Sequence, residues 1–263
     1  MRNLRIGINS YTLRWMCEKG MIDTCGVIEF ALANDLDIVQ LCDNLPLFSL
    51  DAFQLDTIKG HCAGKIDIET GFKVSDFKGL IDCIELTRAL GAHKMRLVLY
   101  NVVFANNFLF DKTNLCVLAG LLEMYDIEIM FENHFEYSPV DTLNLVRFAL
   151  SCSTRFSICF DCFNSLIWNY STFETLDLLR PYISEVHIKD VVIARHGLGL
   201  KVTGCDLGEG VLDIGRLFKE FEGKKFPSLV LEGWSEKNDI VVEQEKESAY
   251  AGIHVLKEMR KHV

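Results

Sequence analysis

Eight short apolar runs recur along the chain, and segments with helical spacing lie between them. Near-continuous apolar runs that contain β-branched residues are typical of strands buried on both faces of a parallel sheet. The alternation with helices is the pattern of successive βα units. The predicted strands are Leu4–Asn9, Asp37–Leu41, Lys65–Glu69, Lys94–Leu99, Ile127–Glu132, Phe156–Asp161, Ile183–His187 and Leu229–Glu232.

Several of the predicted helices carry start and stop signals. Ser138 offers a capping hydroxyl directly before Pro139, which is suited to the first position of a helix. A second helix is predicted over Ser75–Leu90 and ends at Gly91, a residue that adopts the left-handed conformation at low cost. A long charged helix is predicted over Glu243–Lys261.

The number of units and the length of the chain favour one barrel. No Pro-, Gly- or Ser-rich linker and no shift in composition divides the 263 residues, so one domain over residues 1–263 is favoured over two. An open doubly wound sheet more often has about five or six strands, whereas eight βα units in about 250 residues match a closed barrel. The sequence therefore predicts an α/β protein, a single (β/α)8 TIM barrel.

The composition of the chain indicates its cellular environment and excludes some classes of partner. Lys and Arg number 27 against 37 Asp and Glu, and the formal net charge of -10 argues against binding to nucleic acid. The sequence contains no apolar run long enough for a membrane span or a signal peptide, so no membrane association is expected. The 10 cysteines are scattered through apolar segments, which indicates free, buried thiols and a cytoplasmic protein. Homo-oligomer formation is left open.

Four consecutive predicted strands end in a residue that can bind a metal: Glu132, Asp161, His187 and Glu232. Active sites of barrels lie at the carboxyl ends of the strands, so these side chains can converge on one point. Three carboxylates and one imidazole suit Mn²⁺ or Mg²⁺, with Zn²⁺ or Co²⁺ as alternatives. One acidic residue at the end of a strand is more simply explained as the cap of the next helix. Helix capping is a poor explanation for four consecutive strands that all end in a potential metal ligand.

Recognisable motifs surround these residues: Phe-Glu132-Asn-His134, Phe-Asp161-Cys-Phe-Asn164, Val-His187-Ile-Lys-Asp190, Leu-Gly208-Glu-Gly210 and Leu-Glu232-Gly-Trp234. These motifs resemble the xylose-isomerase-like barrel family of sugar phosphate isomerases and epimerases. The likeness also includes the Gly7–Tyr11 segment and Arg96, so it extends along nearly the whole chain.

This resemblance implies one divalent metal ion held by the four strand-end residues. It also implies a small-molecule substrate, a sugar or polyol, whose carbonyl and hydroxyl the metal chelates. Glu132 and Glu232 would then act as the catalytic acid and base that remove and return a proton α to the carbonyl.

The other candidate site residues are predicted substrate contacts. Asn164 stands where the ketose epimerases of the family carry a histidine, and an amide cannot exchange a proton near neutral pH. Arg195 matches the family's substrate arginine approximately. His134 is expected either to contact a sugar hydroxyl or to bond to loop backbone. Lys189, which opens a long segment interpreted as a loop or substrate lid, is either a substrate contact or part of a solvated loop or salt bridge.

The leading functional hypothesis is a metal-dependent sugar or sugar-phosphate isomerase or epimerase that acts through an enediolate. The main alternative is a metal-dependent dehydratase or lyase of an inositol-like or shikimate-like ketone. An apurinic-endonuclease-like hydrolase is disfavoured by Asn164 and by the acidic balance. A non-catalytic sugar-binding barrel is disfavoured by the intact set of four ligands.

Overall fold

A closed barrel of eight parallel strands forms the centre of the computed structural model, which describes residues 4–100, 111–222, 226–234 and 239–262. The barrel order is β1, β10, β7, β6, β5, β4, β3, β2, and β8 pairs antiparallel with β9 outside it. Within the described ranges the strands are β1 (Ile6–Asn9), β2 (Ile38–Cys42), β3 (Asp67–Val74), β4 (Lys94–Leu99), β5 (Glu128–Glu132), β6 (Phe156–Asp161), β7 (Ile183–Ile188), β8 (Asp190–His196), β9 (Gly199–Cys205) and β10 (Ser228–Leu231). The predicted (β/α)8 TIM barrel and its eight strands are confirmed.

Helices connect the strands around the outside of the barrel. None of the helices in the described ranges is long and apolar enough to cross a membrane. The α-helices are α1 (Arg14–Glu18), α2 (Thr24–Ala33), α3 (Ala52–Cys62), α4 (Phe77–Ala89), α5 (Lys112–Tyr125), α6 (Pro139–Leu150), α7 (Thr172–Leu179), α8 (Ile214–Phe221) and α9 (Asp239–Arg260).

The sequence signals located the helix ends closely. The Ser138 side chain accepts a hydrogen bond from Asp141 N, and Pro139 opens α6 as predicted. Gly91 has φ +71° just beyond α4, which is the left-handed conformation expected there. The helix α4 begins at Phe77 rather than near Ser75, because Asp76 is the residue that caps it.

The segment between β7 and α8 contains a hairpin that the sequence did not predict. Strands β8 and β9 pair from Asp190↔Cys205 to His196↔Gly199. The base of the hairpin is held by Asp190, whose carboxylate accepts hydrogen bonds from four backbone N–H groups at 2.8–3.1 Å. These come from Val191, Gly208, Gly210 and Leu212. The segment is therefore an ordered ribbon and not an irregular loop.

The interior of the barrel contains a buried polar group below the strand ends, consisting of Gln40, Glu69, Lys94 and Glu185; it is called the interior polar layer here. Gln40 Nε2 donates to Glu185 Oε1 at 2.7 Å and lies 3.3 Å from Glu69 Oε2. Lys94 Nζ lies 3.8 Å from Glu69 Oε1. Since Gln40 is on β2 and Glu185 on β7, their bond crosses the barrel.

All ten cysteines are free thiols, as predicted. Their burial is mixed: Cys25 and Cys116 are exposed, whereas Cys159 and Cys162 are among the five that are buried. Burial raises the pKa of the Cys42 thiol to about 11, as the desolvation of a thiolate requires. The buried cysteines are therefore protonated near neutral pH and act as apolar side chains.

Candidate functional site

Four predicted metal-binding side chains meet at the carboxyl end of the barrel. Glu132 ends β5, Asp161 ends β6, His187 lies one residue before the end of β7, and Glu232 directly follows β10. One ligand atom from each lies within 4.8 Å of the corresponding atoms of the others. These four residues are called the ligand quartet here. Their strands are neighbours in the barrel, which is why residues 100 positions apart in sequence (232 − 132 = 100) converge.

The quartet is nearly inaccessible to water. Glu132 is 3% exposed, Asp161 1% and His187 0%, while the Glu232 side chain is 14% exposed. Burial of carboxylates without compensation is costly, so the charges need partners. Three acidic oxygens and one imidazole nitrogen in so small a volume fit a divalent cation as that partner.

Burial and neighbouring charges shift the pKa values of the quartet. Burial raises the pKa of Asp161 to about 6, although the Lys189 ammonium opposes the shift. Burial also raises the pKa of Glu132 against the effect of Arg96. For Glu232, Lys189 and His187 outweigh burial and hold the pKa well below its usual range. The four groups therefore respond differently to pH, although they share one site.

Two buried cations flank the quartet. Arg96 Nε lies 3.3 Å from Glu132 Oε2, and the arginine side chain is 5% exposed. Lys189 Nζ lies 2.6 Å from Asp161 Oδ2 and 3.6 Å from Glu232 Oε2. Together with His187, these cations offset the charge of the three carboxylates in the quartet.

Backbone and amide hydrogen bonds fix Asp161. Its Oδ1 accepts from Phe163 N and Asn164 N, both at 2.8 Å, so Oδ2 is the oxygen that faces Lys189. Asn133 links the ends of β5 and β6, because its Oδ1 accepts from Asp161 N at 2.7 Å and its Nδ2 donates to Asp161 O at 2.9 Å. The carboxylate is thus held in place before any ligand binds.

A cavity of about 250 Å³ opens above the quartet. Its wall includes an aromatic pair, Phe135 and Trp234, whose ring centroids lie 6.4 Å apart. Aromatic rings pack against the C–H faces of sugars. Cationic side chains can bind the hydroxyl or acidic groups of a sugar. The lining residues are Tyr11, Arg14, Trp15, Asp43, Lys73, Arg96, Val98, Glu132, His134, Phe135, Asn164, Lys189, Glu232, Gly233, Trp234 and Glu245.

Three of the four predicted substrate contacts line this cavity. Asn164 donates from Nδ2 to Glu132 Oε1 at 2.8 Å and accepts from Lys189 Nζ at 3.2 Å. Lys189 belongs to a buried salt bridge, and not to a solvated loop. The buried Nδ1 of His134 has no hydrogen-bond partner among the residues the structure describes, and burial lowers the pKa of His134 to about 4. A neutral imidazole therefore forms part of the cavity wall.

Arg195 lies elsewhere. It is exposed on β8, where its Nε donates to Gly197 O at 3.2 Å, and it is not among the residues that line the cavity. Its role as a substrate contact stays a prediction. The hairpin carries Arg195 away from the site, a placement that sequence spacing alone does not reveal.

Several residues around the site escaped sequence reasoning. Glu185 lies directly below the quartet, with Oε1 3.4 Å from His187 Nε2. The signal was available, since residues two apart in a strand share a face and His187 was already a candidate. Lys73 and Phe135 also line the cavity, but nothing in their sequence context marks them.

Solved structures share this fold. A xylose isomerase domain protein from Planctomyces limnophilus is 13% identical, with a TM-score of 0.73 and 99% of each chain covered. The probable 3-DHS dehydratase AsbF of Bacillus anthracis is 14% identical, with a TM-score of 0.66 and 97% of this chain and 99% of that chain covered. D-psicose 3-epimerase with D-tagatose from Clostridium cellulolyticum H10 is 13% identical, with a TM-score of 0.65 and coverage of 96% and 99%. At such identities the likeness concerns the fold alone.

Family membership follows from the sequence itself. A comparison with curated proteins found no match. The model of the xylose isomerase-like TIM barrel family, however, matches residues 72–259, which include the whole quartet and seven tenths of the chain. The chain therefore belongs to the xylose isomerase-like TIM barrel family.

Proposed function

We propose that the protein is a divalent-metal-dependent isomerase or epimerase of a sugar or sugar phosphate, which acts by abstracting a proton α to a carbonyl. The observation that carries the proposal is the convergence of four ligand atoms, three of them from buried residues, within 4.8 Å at the base of a cavity. Structures of this fold were determined with a zinc atom in the IOLI protein and with magnesium in a protein from Mycobacterium smegmatis. For this chain, the oxygen-rich donor set favours Mn²⁺ or Mg²⁺.

Glu132, Asp161, His187 and Glu232 would hold the ion. A bound divalent cation acts as a Lewis acid that polarises a substrate carbonyl and so acidifies the adjacent C–H group. The protein contributes fixed positions: Asn133 and two backbone amides orient Asp161, and Asn164 orients Glu132. Such preorganisation spares the site a reorganisation cost during the reaction.

Proton transfer is assigned to Glu132 and Glu232. Glu132 ends β5 and Glu232 follows β10, the two outer strands of the four that carry the quartet. Since β6 and β7 lie between these strands, the two glutamates approach the centre of the quartet from different sides. Epimerisation requires a base on one face of the substrate and an acid on the other, which this placement offers. Asn164 and Lys189, which contact these groups or Asp161, would donate hydrogen bonds to substrate oxygens.

Solvent exchange tests the proposal directly. Purified protein should contain close to one divalent ion per chain, lost on chelation, and should incorporate solvent deuterium into a ketose. Glu132→Gln and Glu232→Gln should each abolish exchange, whereas Glu247→Gln, an exposed position on α9, should not. Absence of exchange across a broad panel of ketoses and ketose phosphates, with the ion bound, would refute the proposal.

A dehydratase or lyase of an inositol-like or shikimate-like ketone is the second candidate. Lys189 favours it, because its ammonium lies buried between Asp161 and Glu232, where it could donate a hydrogen bond to a departing hydroxyl. A solved structure of the same fold is that of a probable 3-DHS dehydratase. Formation of an unsaturated product, followed by its ultraviolet absorbance, would distinguish this reaction from epimerisation.

A further inference from the structure

His187 lies between two carboxylates, one on each side of its ring. Its Nδ1 is 3.1 Å from Glu232 Oε2, in the ligand quartet, and its Nε2 is 3.4 Å from Glu185 Oε1, in the interior polar layer. The His187 and Glu185 side chains are both 0% exposed. Within the described residues His187 Nε2 makes no hydrogen bond, so the Glu185 carboxylate is the charged group available to it in the barrel interior.

The strand geometry accounts for this contact. Glu185 and His187 are two residues apart on β7 and so project from the same face, into the barrel. Glu185 is in turn held from across the barrel by Gln40, whose amide donates to Oε1 at 2.7 Å. The carboxylate is thus a fixed acceptor below the ring.

We propose that Glu185 is a positioning residue for the metal centre, and that it accepts the Nε2–H hydrogen bond of His187 so that Nδ1 is the nitrogen that binds the ion. The inference rests on the proposed metal-dependent function. A carboxylate on the far nitrogen of a metal-binding histidine fixes its tautomer and ring orientation. Without Glu185, rotation of the ring by half a turn about its terminal bond would become competitive and would direct the other edge towards the quartet.

NMR of the wild-type protein tests the assignment of the two nitrogens. The protein, with nitrogen-labelled histidine, is loaded with an NMR-active cadmium isotope, whose scalar coupling identifies the nitrogen bonded to it. Coupling to Nδ1 of His187, with a proton retained on Nε2, is the expected result. Coupling to Nε2 overturns the proposal, as does a second bound ion shared by Nε2 and Cys159, the other buried group near this nitrogen.

Metal affinity tests the positioning role. Glu185→Gln keeps the size of the side chain but removes its charge, and it should weaken Mn²⁺ binding by about 10- to 100-fold in a fluorescence competition titration. Glu69→Gln is the matched control, because Glu69 is a buried glutamate of the same interior polar layer whose contacts are with Gln40 and Lys94. It should bind Mn²⁺ close to wild type.

The outcomes separate the two proposals. Wild-type affinity in Glu185→Gln, or equal weakening in Glu69→Gln, overturns the positioning role even if the enzyme is active. Wild-type protein that binds Mn²⁺ but exchanges no proton of any ketose refutes the proposed function, and the comparison of the two variants remains valid. Should Glu185→Gln fail to fold, the NMR result on the wild-type protein decides alone.

Discussion

Lys189 Nζ lies 2.6 Å from Asp161 Oδ2, and this contact places an ammonium group inside a cluster of candidate metal ligands. The lysine side chain is 7% exposed and that of Asp161 0%, so water screens the pair very little. Lys189 helps to hold the pKa of Glu232 well below its usual range, and it opposes the burial that raises the pKa of Asp161 to about 6. The same cation that keeps these carboxylates ionised also repels a divalent ion.

Replacing Lys189 should therefore lower the stability of the metal-free protein and increase the stabilisation by a bound metal ion. Lys189→Met leaves buried carboxylates without a counter-charge and should destabilise the metal-free protein by about 3–5 kcal/mol. Added Mn²⁺ should raise the unfolding temperature more in the variant than in the wild type, as followed by circular dichroism. Lys78→Met, at an exposed helical ion pair, should change neither quantity. A smaller metal-induced shift in Lys189→Met would contradict the interpretation.

His134 should make stability depend on pH in a defined window. Burial and the nearby Lys73 lower the pKa of its imidazole to about 4 from 6.5. Above pH 6.5 the ring is neutral in both states, but below it the unfolded chain binds a proton that the folded protein excludes. Stability is thus lost as pH falls from about 6.5 to about 4, by roughly 1–3 kcal/mol.

Urea unfolding across that range measures the effect of His134. His134→Gln cannot titrate, so its free energy of unfolding should fall less between pH 7 and pH 4 than that of the wild type. Parallel curves for the two proteins would show that His134 does not carry the dependence.

Glu69 should have the opposite dependence on pH. Burial and the neighbouring Glu185 raise its pKa well above 4.5, so the folded protein retains a proton that the unfolded chain releases as pH rises. The stabilisation present below about pH 4.5 is lost as pH rises through the folded-state pKa. Glu69→Gln mimics the protonated form and should be more stable than the wild type at pH 8, with the difference shrinking towards pH 4. An equal difference at both pH values would contradict this.

The barrel could be predicted because its signals are local and repeated. Each strand is a short apolar run. A capping signal at a helix start, such as Ser138-Pro139, depends only on residues a few positions apart. The hairpin β8–β9 is not predictable in the same way, because the Asp190 carboxylate at its base accepts hydrogen bonds from the distant Gly208, Gly210 and Leu212. Contacts of that kind leave no periodic pattern in the sequence.

The residues of the candidate site also fall into those that the sequence predicts and those that depend on distant contacts. The quartet was predictable since strand ends of a barrel meet at one rim, whatever the loops do. Arg195 was placed by its distance from His187 along the chain, and the unpredicted hairpin directs it into solvent. Glu185 could have been found from strand alternation, but its bond to Gln40 depends on barrel closure.

Asp190 should determine whether the hairpin is ordered. Asp190→Ala removes the acceptor of four backbone N–H groups and should cost about 3–4 kcal/mol, since such charged bonds are not additive. Limited proteolysis should cut the variant within residues 190–212 faster than the wild type. Asp206→Ala, an exposed position in the same segment, is the control. Resistance of Asp190→Ala to cleavage would show that strand pairing alone holds the hairpin.

Gly204 links the hairpin to the cavity through backbone contact with Trp234. A Cβ atom at position 204 would lie 1.3 Å from Trp234 O, so Gly204→Ala forces β9 and Trp234 apart. The overpacking should cost about 3 kcal/mol or more. Because Trp234 lines the cavity and its ring lies 5.3 Å from Lys189 Nζ, displacement of Trp234 should raise KM more than it lowers kcat.

Gly199→Ala is the matched control in the same strand, where the nearest atom is 3.9 Å away and no comparable change is expected. Tryptophan fluorescence with steady-state kinetics checks both variants, and wild-type KM in a folded Gly204→Ala protein would exclude coupling between the hairpin and the cavity.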